Sequence, residues 1–306
     1  MDKTHQLIII GGGPAGLSAG LYASRAKIDT LLIEKAGLGG RIVNAELVEN
    51  YPGFPQGISG SELGDLIAQQ ATKYGLQTIY AEVKGLGIRG DEKVVSTGEG
   101  EYRVKAVIIA GGSEYSKLAV PGEEEYTGKG VSYCAMCDGA FFRDQVIAVV
   151  GGGNVALNDA LFLTRFASRV IIIHRRDQLR ATKILQDRAF ANPKIGFLWD
   201  TVVESIIGDK LVKEIRLRNI KTGKTSSLAV SGIFVAVGLH PNTGYLKGLL
   251  TLDEGGFIPV SGQMETGVPG VFAAGDIRAG SIRQVVSAAG DGATAAIAAE
   301  RFLSSM

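Results

Sequence analysis

The chain has 306 residues, of which 43 are Gly, about twice the usual share of this residue in proteins. Lys and Arg number 32 against 31 Asp and Glu, and the resulting net charge of +1 argues against a nucleic-acid partner. With 45% hydrophobic and 21% charged residues the chain can bury a large core, which excludes disorder and fibrous structure, and its length predicts about two domains.

The amino-terminal segment has no pattern typical of a secreted or membrane protein. Its apolar run, Leu7–Ile10, stops at Gly11 and is too short for a signal-peptide core or a membrane span. The small-residue stretch Val285–Ala299 is interrupted by Asp291, and its alanines indicate a packed helix. We therefore expect a soluble, unprocessed, cytoplasmic protein that does not contact a membrane.

The first elements form a βαβ unit with a glycine-rich turn. A buried strand, Gln6–Ile10, leads through the turn Gly11–Gly16 into a helical pattern, Leu17–Lys27, and a second strand, Thr30–Ile33, ends before Glu34. The turn has the form G-x-G-x-x-G, in which the first Gly makes the tight turn, the second lets the backbone approach a pyrophosphate and the third packs the helix on the strand. Glu34 is placed to accept hydrogen bonds from ribose hydroxyls, so the unit predicts a dinucleotide site.

The chain contains two cysteines, Cys134 and Cys137. A secreted disulfide framework would need more of them. A zinc site would need two further ligands, and the three His residues, at positions 5, 174 and 240, show no paired spacing. The pair is therefore interpreted as a redox pair, with two inert core cysteines as the alternative.

The βαβ pattern then repeats, with Gly151 lying 140 residues after Gly11. Val146–Val150 is the strand, Gly151–Ala156 the turn and Val170–Ile173 the second strand. In the repeat, the position of Glu34 is taken by a histidine, residue 174.

Arginines follow this histidine. A carboxylate at this point would repel the 2′-phosphate of NADP. The guanidinium groups of Arg175 and Arg176 can instead bind it by charge-assisted hydrogen bonds. Arg180 reaches the same phosphate if a helical turn begins near Asp177. The alternative is a solvated basic face on a surface loop. A carboxylate in one turn and arginines in the other predict one flavin and one nicotinamide nucleotide.

A third element extends the first domain. Phe272–Asp276 predicts a strand end followed by a helix from Ser281, with helix N–H groups available to an anionic flavin ring. Residues after about 245 therefore return to the first domain. The predicted fold is α/β, with two Rossmann-like three-layer dinucleotide-binding domains, the second (115–244) inserted into the first (1–114 and 245–306). The crossovers, near Ser113–Lys117 and His240–Gly244, follow apolar strands and make a hinge plausible.

Five motifs in this order and spacing resemble the low-molecular-weight, bacterial and archaeal NADPH-dependent thioredoxin reductases: residues 11–16 (GGGPAG), 48–54 (VENYPGF), 134–139 (CAMCDG), 174–180 (HRRDQLR) and 274–285, with AGD and RQV. The resemblance covers essentially the whole chain. It implies a class II pyridine nucleotide-disulfide oxidoreductase, with an FAD domain and an inserted NADPH domain carrying the cysteine pair. It also implies a homodimer, and electron flow from NADPH through FAD and the disulfide to thioredoxin or a thioredoxin-like protein.

Site residues follow from the resemblance position by position. Cys134 and Cys137 would be the redox disulfide, and Asp138 the acid that manages protons when the dithiol forms and discharges. The FAD set would be Gly11, Gly13, Pro14, Ala15, Gly16, Glu34, Lys35, Gly39, Gly40, Arg41, Asn50, Val83, Ala110, Gly111, Gly275, Asp276, Arg283, Gln284 and Val285. The NADPH set would be Gly152, Gly153, Asn154, His174, Arg175, Arg176 and Arg180.

The chain departs from the family pattern at several positions. Arg41 stands where the family often has Gln, Met136 where Thr or Val is frequent, and Gly111 where an Ala-Thr-Gly run is usual. Val155 replaces a common hydroxyl residue, and Asn158–Asp159 a usual Glu pair, beside the expected pyrophosphate and nicotinamide contacts.

Other classes share parts of this pattern. The flavoprotein partner of a peroxiredoxin carries an additional N-terminal thioredoxin-like module, which we do not expect here because the chain begins at its first strand. Dithiol oxidases lack the Arg175–Arg176 pair, and ferredoxin-NADP reductases lack the cysteines. A nicotinamide-sensing binding module without turnover is disfavoured by the Cys-x-x-Cys pair.

Overall fold

A computed structural model describes residues 4–45 and 47–306. Contacts divide the chain into two compact units. The first consists of the chain up to Glu114 together with His240–Met306, and the second is Tyr115–Leu239. The second boundary, between Leu239 and His240, lies at the start of the predicted crossover His240–Gly244, so that crossover belongs to the first unit and not to the inserted one. Both units combine parallel strands with helices, which confirms the predicted α/β class.

Strands and helices alternate in the first part of each unit, and several strands follow one another directly in the rest. The strands are β1 Thr4–Ile10, β2 Thr30–Glu34, β3 Gln77–Tyr80, β4 Val83–Arg89, β5 Glu92–Thr97, β6 Gly100–Ile109, β7 Ser113–Tyr115, β8 Val131–Ser132, β9 Val146–Val150, β10 Arg169–Ile173, β11 Ile195–Leu198, β12 Thr201–Gly208, β13 Val212–Asn219, β14 Thr225–Ala229, β15 Gly232–Val235, β16 Leu239–Pro241 and β17 Val271–Ala273. The α-helices are α1 Pro14–Arg25, α2 Gly60–Thr72, α3 Ala135–Asp138, α4 Asn154–Leu163, α5 Lys183–Ala191 and α6 Val285–Ser304.

The first unit is built on a sheet in the order β3-β2-β1-β6, with β17 also paired to β6. These strands are parallel, and the buried residues of β1 and β6 form apolar runs, as in strands covered on both faces. The first part of β6 instead pairs antiparallel with β5, which continues to β4. One long strand therefore belongs to both the nucleotide-type sheet and a meander.

Helices α1 and α6 pack closely together on this sheet. A Cβ added at Gly292 of α6 would lie 2.0 Å from the carbonyl oxygen of Ala15 in α1. Buried alanines of α6, including Ala295 and Ala299, continue this contact into the core. The alanine-rich stretch is thus the packed helix that its composition predicts.

Helix α6 begins four residues later than the predicted Ser281. Arg283 has a φ of +58°, and Gln284 is extended. Gln284 and Ser287 form a capping box, in which each side chain accepts the other's backbone N–H. This cap fixes the first helical residue as Val285.

The second unit has a parallel sheet in the order β11-β10-β9-β15-β8 and a separate antiparallel sheet, β12-β13-β14. Its core has two clusters, one centred on Ile171 and Ile233 and the other on Leu157 and Phe234. The two connecting segments, β7 and β16, pair with each other. Among the described residues, no helix is long and apolar enough to cross a bilayer.

Two glycines of α6 provide a matched test of the α1–α6 contact. Gly292→Ala places a methyl group against the backbone of α1, so we expect it to lower the free energy of unfolding by about 1–3 kcal/mol. Gly290→Ala meets nothing within 4 Å and should leave stability unchanged or raise it by up to about 1 kcal/mol. Thermal unfolding midpoints of the two variants measure the difference, and equal midpoints would contradict the close packing.

Candidate active site

The first glycine-rich turn leaves no space for a Cβ at its first and last glycines, Gly11 and Gly16. Gly11 has a φ of +107°, and a Cβ there would lie 2.4 Å from the carbonyl oxygen of Ala110. A Cβ at Gly16 would lie 1.8 Å from the oxygen of Gly11. Gly13 precedes Pro14, the first residue of α1, and no described side chain caps the N–H groups of the helix. Those groups are available to a phosphate.

Glu34 closes one side of this turn. Its Oε2 accepts the N–H of Gly12 at 2.6 Å, and its Oε1 accepts the N–H of Ala36 at 2.8 Å. Each carboxylate oxygen keeps a further acceptor position, since an ionised carboxylate has about four. The side chain is therefore oriented for ribose hydroxyls.

Two more glycines of the predicted flavin set border the turn. Gly39 and Gly40 have φ values of +101° and +65°. The N–H of Gly39 donates to the oxygen of Gly12 at 2.9 Å, and a Cβ at Gly40 would lie 2.9 Å from the Cα of Gly13. The backbone after β2 thus approaches α1 more closely than other residues would allow.

Asp276 reaches the same region from the far end of the chain. It lies in a short 3-10 helix, Gly275–Ile277, rather than at the start of the long helix. Arg41 forms an ion pair with its carboxylate, and Ser281 Oγ donates to it at 3.4 Å. A Cβ at Gly275 would lie 2.9 Å from the Cβ of Ala15, so this turn borders the start of α1.

A buried ion pair holds the Asp276 turn. Asp291, in α6, accepts from Arg278 Nε at 2.6 Å and Nη2 at 3.0 Å, and from the N–H of Gly275 at 3.1 Å. In the sequence Asp291 interrupts an apolar stretch and gives no sign of this role.

The remaining predicted flavin residues have local contacts. Asn50 Nδ2 donates to Gln284 Oε1 at 3.0 Å, and Lys35 Nζ lies 3.2 Å from Glu114 Oε1. The guanidinium of Arg283 lies 5.6 Å from the ring centre of a phenylalanine. Among the other members, Gly111 accepts through its oxygen from Asn242, Val83 begins β4, and Val285 begins α6. The uncapped helix start, the oriented carboxylate and the tight glycines together fit the dinucleotide portion of FAD.

The second turn has the same construction. Gly151 has a φ of +149°, and a Cβ there would lie 2.5 Å from the oxygen of Ala236. Gly153 precedes Asn154, the first residue of α4, and no described side chain caps this helix start. Asn154 Oδ1 accepts the N–H of Thr182 at 2.8 Å. A second phosphate site is therefore available here.

His174 lies against this turn without adding charge. Its imidazole would be 2.4 Å from a Cβ at Gly152, and the residue is buried. Burial lowers the pKa of His174, so the ring is neutral at pH 7. Its Nε2 lies 3.1 Å from the backbone oxygen of Gln178. The positive charge in the segment that follows β10 therefore comes from the arginines and not from His174.

The three arginines line a pocket of about 420 Å³, which we call the arginine pocket; its lining residues are Arg175, Arg176, Asp177, Gln178, Leu179, Arg180, Asp200, Ile220 and Lys221. Residues 177–182 form no helical turn, since α5 begins only at Lys183, so the condition under which a helix would bring Arg180 to the phosphate is not met. Arg180 reaches the pocket because its N–H donates to the oxygen of Gly152 at 2.7 Å, which draws the segment back to the turn.

Cys134 and Cys137 form a disulfide around the short helix α3, with Cα atoms 5.3 Å apart. The N–H of Cys137 donates to Cys134 Sγ at 3.2 Å. Cys137 is exposed, whereas Cys134 is half-buried. An N–H directed at sulfur stabilises a thiolate, so the reduced form of this pair is suited to exchange.

Asp138 follows the disulfide and is tied to it through Ser132. Ser132 is buried, donates to Asp138 Oδ2 at 2.6 Å and accepts the N–H of Cys134 at 3.1 Å. Burial raises the pKa of Asp138, and the hydrogen bond from Ser132 opposes that rise. The carboxyl next to Cys137 therefore binds a proton more readily than a solvent-exposed aspartate does. Sequence reasoning missed Ser132, because a serine at the end of a strand carries no signal of its own.

Glu123 is a second residue that the sequence did not reveal. Its buried carboxylate accepts the N–H of Leu118 at 2.8 Å, the N–H of Ala119 at 2.7 Å and the hydroxyl of Tyr133 at 2.8 Å. Tyr133 precedes the disulfide and stacks on Tyr115, with ring centres 5.3 Å apart. Glu123 therefore connects the start of this unit to the segment that carries the disulfide, residues 132–138, which we call the redox loop.

This geometry describes a class of protein with two nucleotide turns and a redox disulfide. The family model for pyridine nucleotide-disulphide oxidoreductases matches residues 5–292, and the chain belongs to this family. A thioredoxin reductase of Listeria innocua is 48% identical over 304 residues, which is 99% of this chain and 95% of that protein. The crystal structure of thioredoxin reductase from Streptococcus pyogenes is 46% identical and covers both chains completely, with a TM-score of 0.96.

A further solved relative differs in a useful way. The Lactococcus lactis thioredoxin reductase, in a form described as the FR conformation, is 45% identical and covers 99% of this chain and 100% of its own, but its TM-score is 0.66. The two solved relatives are equally similar in sequence. They therefore differ from each other in overall arrangement.

Removing the Ser132 hydroxyl tests the environment of Asp138. Ser132→Ala removes a donor to the ionised carboxylate, so the pKa of Asp138 should rise further and the carboxyl should keep its proton to higher pH. We expect the limb of the pH–rate profile for disulfide reduction that reports Asp138 to move to more alkaline pH.

Two controls accompany this variant. Ser132→Thr keeps a hydroxyl and should restore the original limb, whereas Asp138→Asn should abolish it. A profile of Ser132→Ala that superposes on that of the unmodified protein would contradict the proposed hydrogen bond.

Proposed function

We propose that this protein is a thioredoxin-disulfide reductase that passes electrons from NADPH through FAD and the Cys134–Cys137 disulfide to oxidised thioredoxin. The observation that carries the proposal is the disulfide beside a half-buried acid, Asp138, in the unit that also contains the arginine pocket. Family membership and the names of the relatives support it.

We assign FAD to the first unit and NADPH to the second. When bound, FAD accepts a hydride from NADPH and delivers two electrons to the disulfide. The start of α1 would hold the pyrophosphate of FAD, and Glu34 would hold its adenosine ribose. In the second unit the start of α4 would hold the pyrophosphate of NADPH, and Arg175 and Arg176 its 2′-phosphate.

The residues of the redox loop then transfer protons and carry out thiol–disulfide exchange. Breaking the Cys134–Cys137 bond with two electrons leaves two thiolates, and forming the neutral dithiol requires two protons. Asp138, whose pKa is raised by burial, can supply one of them and recover it when a thiolate is needed. That thiolate attacks one sulfur of the partner's disulfide and releases the other, and the second cysteine resolves the mixed disulfide.

The surface beside the disulfide suits a protein partner. Met136, between the two cysteines, is 64% exposed, and Phe141, just after them, is 45% exposed. Exposed apolar side chains of this kind are frequent at protein interfaces. Thioredoxin or a thioredoxin-like protein is the partner we propose, and the resemblance to the low-molecular-weight reductases supports a cytoplasmic homodimer.

A hinge at the two crossovers is part of this proposal. The disulfide has to exchange electrons with a flavin and then with a bulky protein, and the nicotinamide has to reach the same flavin. The difference in overall arrangement between the two solved relatives supports such a motion.

The cysteine assignment is tested by single substitutions. Cys134→Ser and Cys137→Ser should each abolish thioredoxin reduction, yet both should retain flavin reduction by NADPH, because that hydride transfer needs neither sulfur. A stopped-flow trace of flavin bleaching and a thioredoxin assay give the two readouts. Leu211→Ser, at an exposed position between β12 and β13, is the control and should keep both activities. Thioredoxin reduction in both cysteine variants would overturn the assignment.

Substitution of Arg175 tests the assignment of NADPH. A hydrogen bond to a charged group contributes about 1.5–3 kcal/mol, so Arg175→Ala should weaken NADPH binding roughly 10- to 150-fold. The KM for NADH should change by no more than a few-fold, and the effect should shrink at high salt.

A matched arginine provides the control for this test. Arg188 is exposed on α5 outside the pocket, and Arg188→Ala should have no effect on either cofactor. Equal use of NADH and NADPH by the unmodified protein would show that the arginines are only a solvated basic face.

A further inference from the structure

The arginine pocket contains acidic groups as well as basic ones. Besides its three arginines it is lined by Asp177 and Asp200, and a 2′-phosphate entering the pocket would meet both carboxylates. Asp177 is also next in sequence to Arg176. Left alone, such carboxylates repel a phosphate and compete for the guanidinium groups.

Lys221 forms ion pairs with both carboxylates. Its Nζ lies 2.8 Å from Asp177 Oδ2 and 3.1 Å from Asp200 Oδ2. In the described part of the chain, none of the three pocket arginines forms an ion pair within 4.0 Å. The guanidinium groups are therefore left for an anionic ligand.

The position of Lys221 is fixed by its turn. Lys221 lies between β13 and β14, where Asn219 Oδ1 accepts the N–H groups of Lys221 and Thr222 at 3.1 and 2.9 Å. The N–H of Ile220 donates to the backbone oxygen of Asp200 at 2.7 Å. This backbone contact brings the turn to the wall of the pocket.

We propose that Lys221 is a specificity-determining residue for the 2′-phosphate. It neutralises Asp177 and Asp200, and so keeps the three arginines available to the phosphate that distinguishes NADPH from NADH. Its effect is on the 2′-phosphate and not on the rest of the nucleotide, because the carboxylates that it holds line the arginine pocket. The inference rests on the proposed function and adds a residue from a separate sheet to that site.

The test measures binding without turnover. Dissociation constants for 2′,5′-ADP and 5′-AMP are measured by isothermal titration calorimetry on the full-length protein and its variants. Lys221→Gln should weaken 2′,5′-ADP about two- to fivefold, as expected for the loss of an exposed ion pair, and leave 5′-AMP unchanged. Lys224→Gln removes the same charge from an exposed position a few residues further on, outside the pocket, and should change neither constant.

A double-mutant cycle separates action through the carboxylates from direct contact with phosphate. If Lys221 acts through Asp177, then Lys221→Gln should cost less affinity in an Asp177→Asn background than in the unmodified protein. An equal cost in both backgrounds would overturn the proposal, as would an unchanged affinity of Lys221→Gln or an equal loss for 5′-AMP.

Failure of the proposed function has a different signature. If the pocket does not bind a 2′-phosphate at all, the unmodified protein will bind 2′,5′-ADP no more tightly than 5′-AMP. If only the role of Lys221 is wrong, the unmodified protein will still prefer 2′,5′-ADP, and Arg175→Ala will reduce that preference while Lys221→Gln will leave it unchanged.

Discussion

The close approach of α1 to β1 is the constraint on which the first nucleotide site depends. Gly16 lies so near the carbonyl of Gly11 that no Cβ fits, and this contact places the start of α1 directly above the end of the strand. The N–H groups of the helix start are then unpaired by side chains and directed at one point. Glu34 contacts the turn before α1, and the 3-10 helix that carries Asp276 borders the first residues of α1. Both side chains can therefore bind the ligand that the helix start holds. The second unit has a similar turn at Gly151, where Ala156 takes the place of Gly16 and the position without room for a Cβ is Gly151 itself.

In the second unit, both the redox loop and the arginine pocket depend on the polar partners of their carboxylates. In the redox loop, burial raises the pKa of Asp138, and the hydroxyl of Ser132 opposes that rise by donating to the carboxylate. In the arginine pocket, an ammonium group occupies Asp177 and Asp200 so that the guanidinium groups face the ligand. In each site a residue outside the sequence motif, Ser132 or Lys221, is the polar partner of an acidic residue within the motif.

The sequence was informative where chemistry and periodicity lie close together along the chain. The glycine spacing of each turn, the apolar strands before and after it and the cysteine pair gave the α/β class and the redox disulfide. The resemblance supplied the flavin residues, of which Arg41 and Asp276 do form a pair in the structure although 235 residues separate them.

The misses have physical reasons. The start of α6 was predicted at Ser281, since periodicity does not register the side-chain cap between Gln284 and Ser287. Arg180 reaches its pocket by a backbone hydrogen bond to Gly152 and not by a helical turn. Lys221 acts on Asp177 across 44 residues and from a different sheet, and nothing in the local sequence of either indicates the contact.

In the proposed reaction, electrons pass from a nicotinamide nucleotide through a flavin to this disulfide. An anaerobic titration of the purified yellow protein with NADPH tests it most directly, with flavin absorbance and free thiols followed together. Because flavin and disulfide each take two electrons, the account predicts that about two equivalents of NADPH are consumed per chain and that two thiols appear. Bleaching of the flavin by one equivalent with no thiol formed would contradict it.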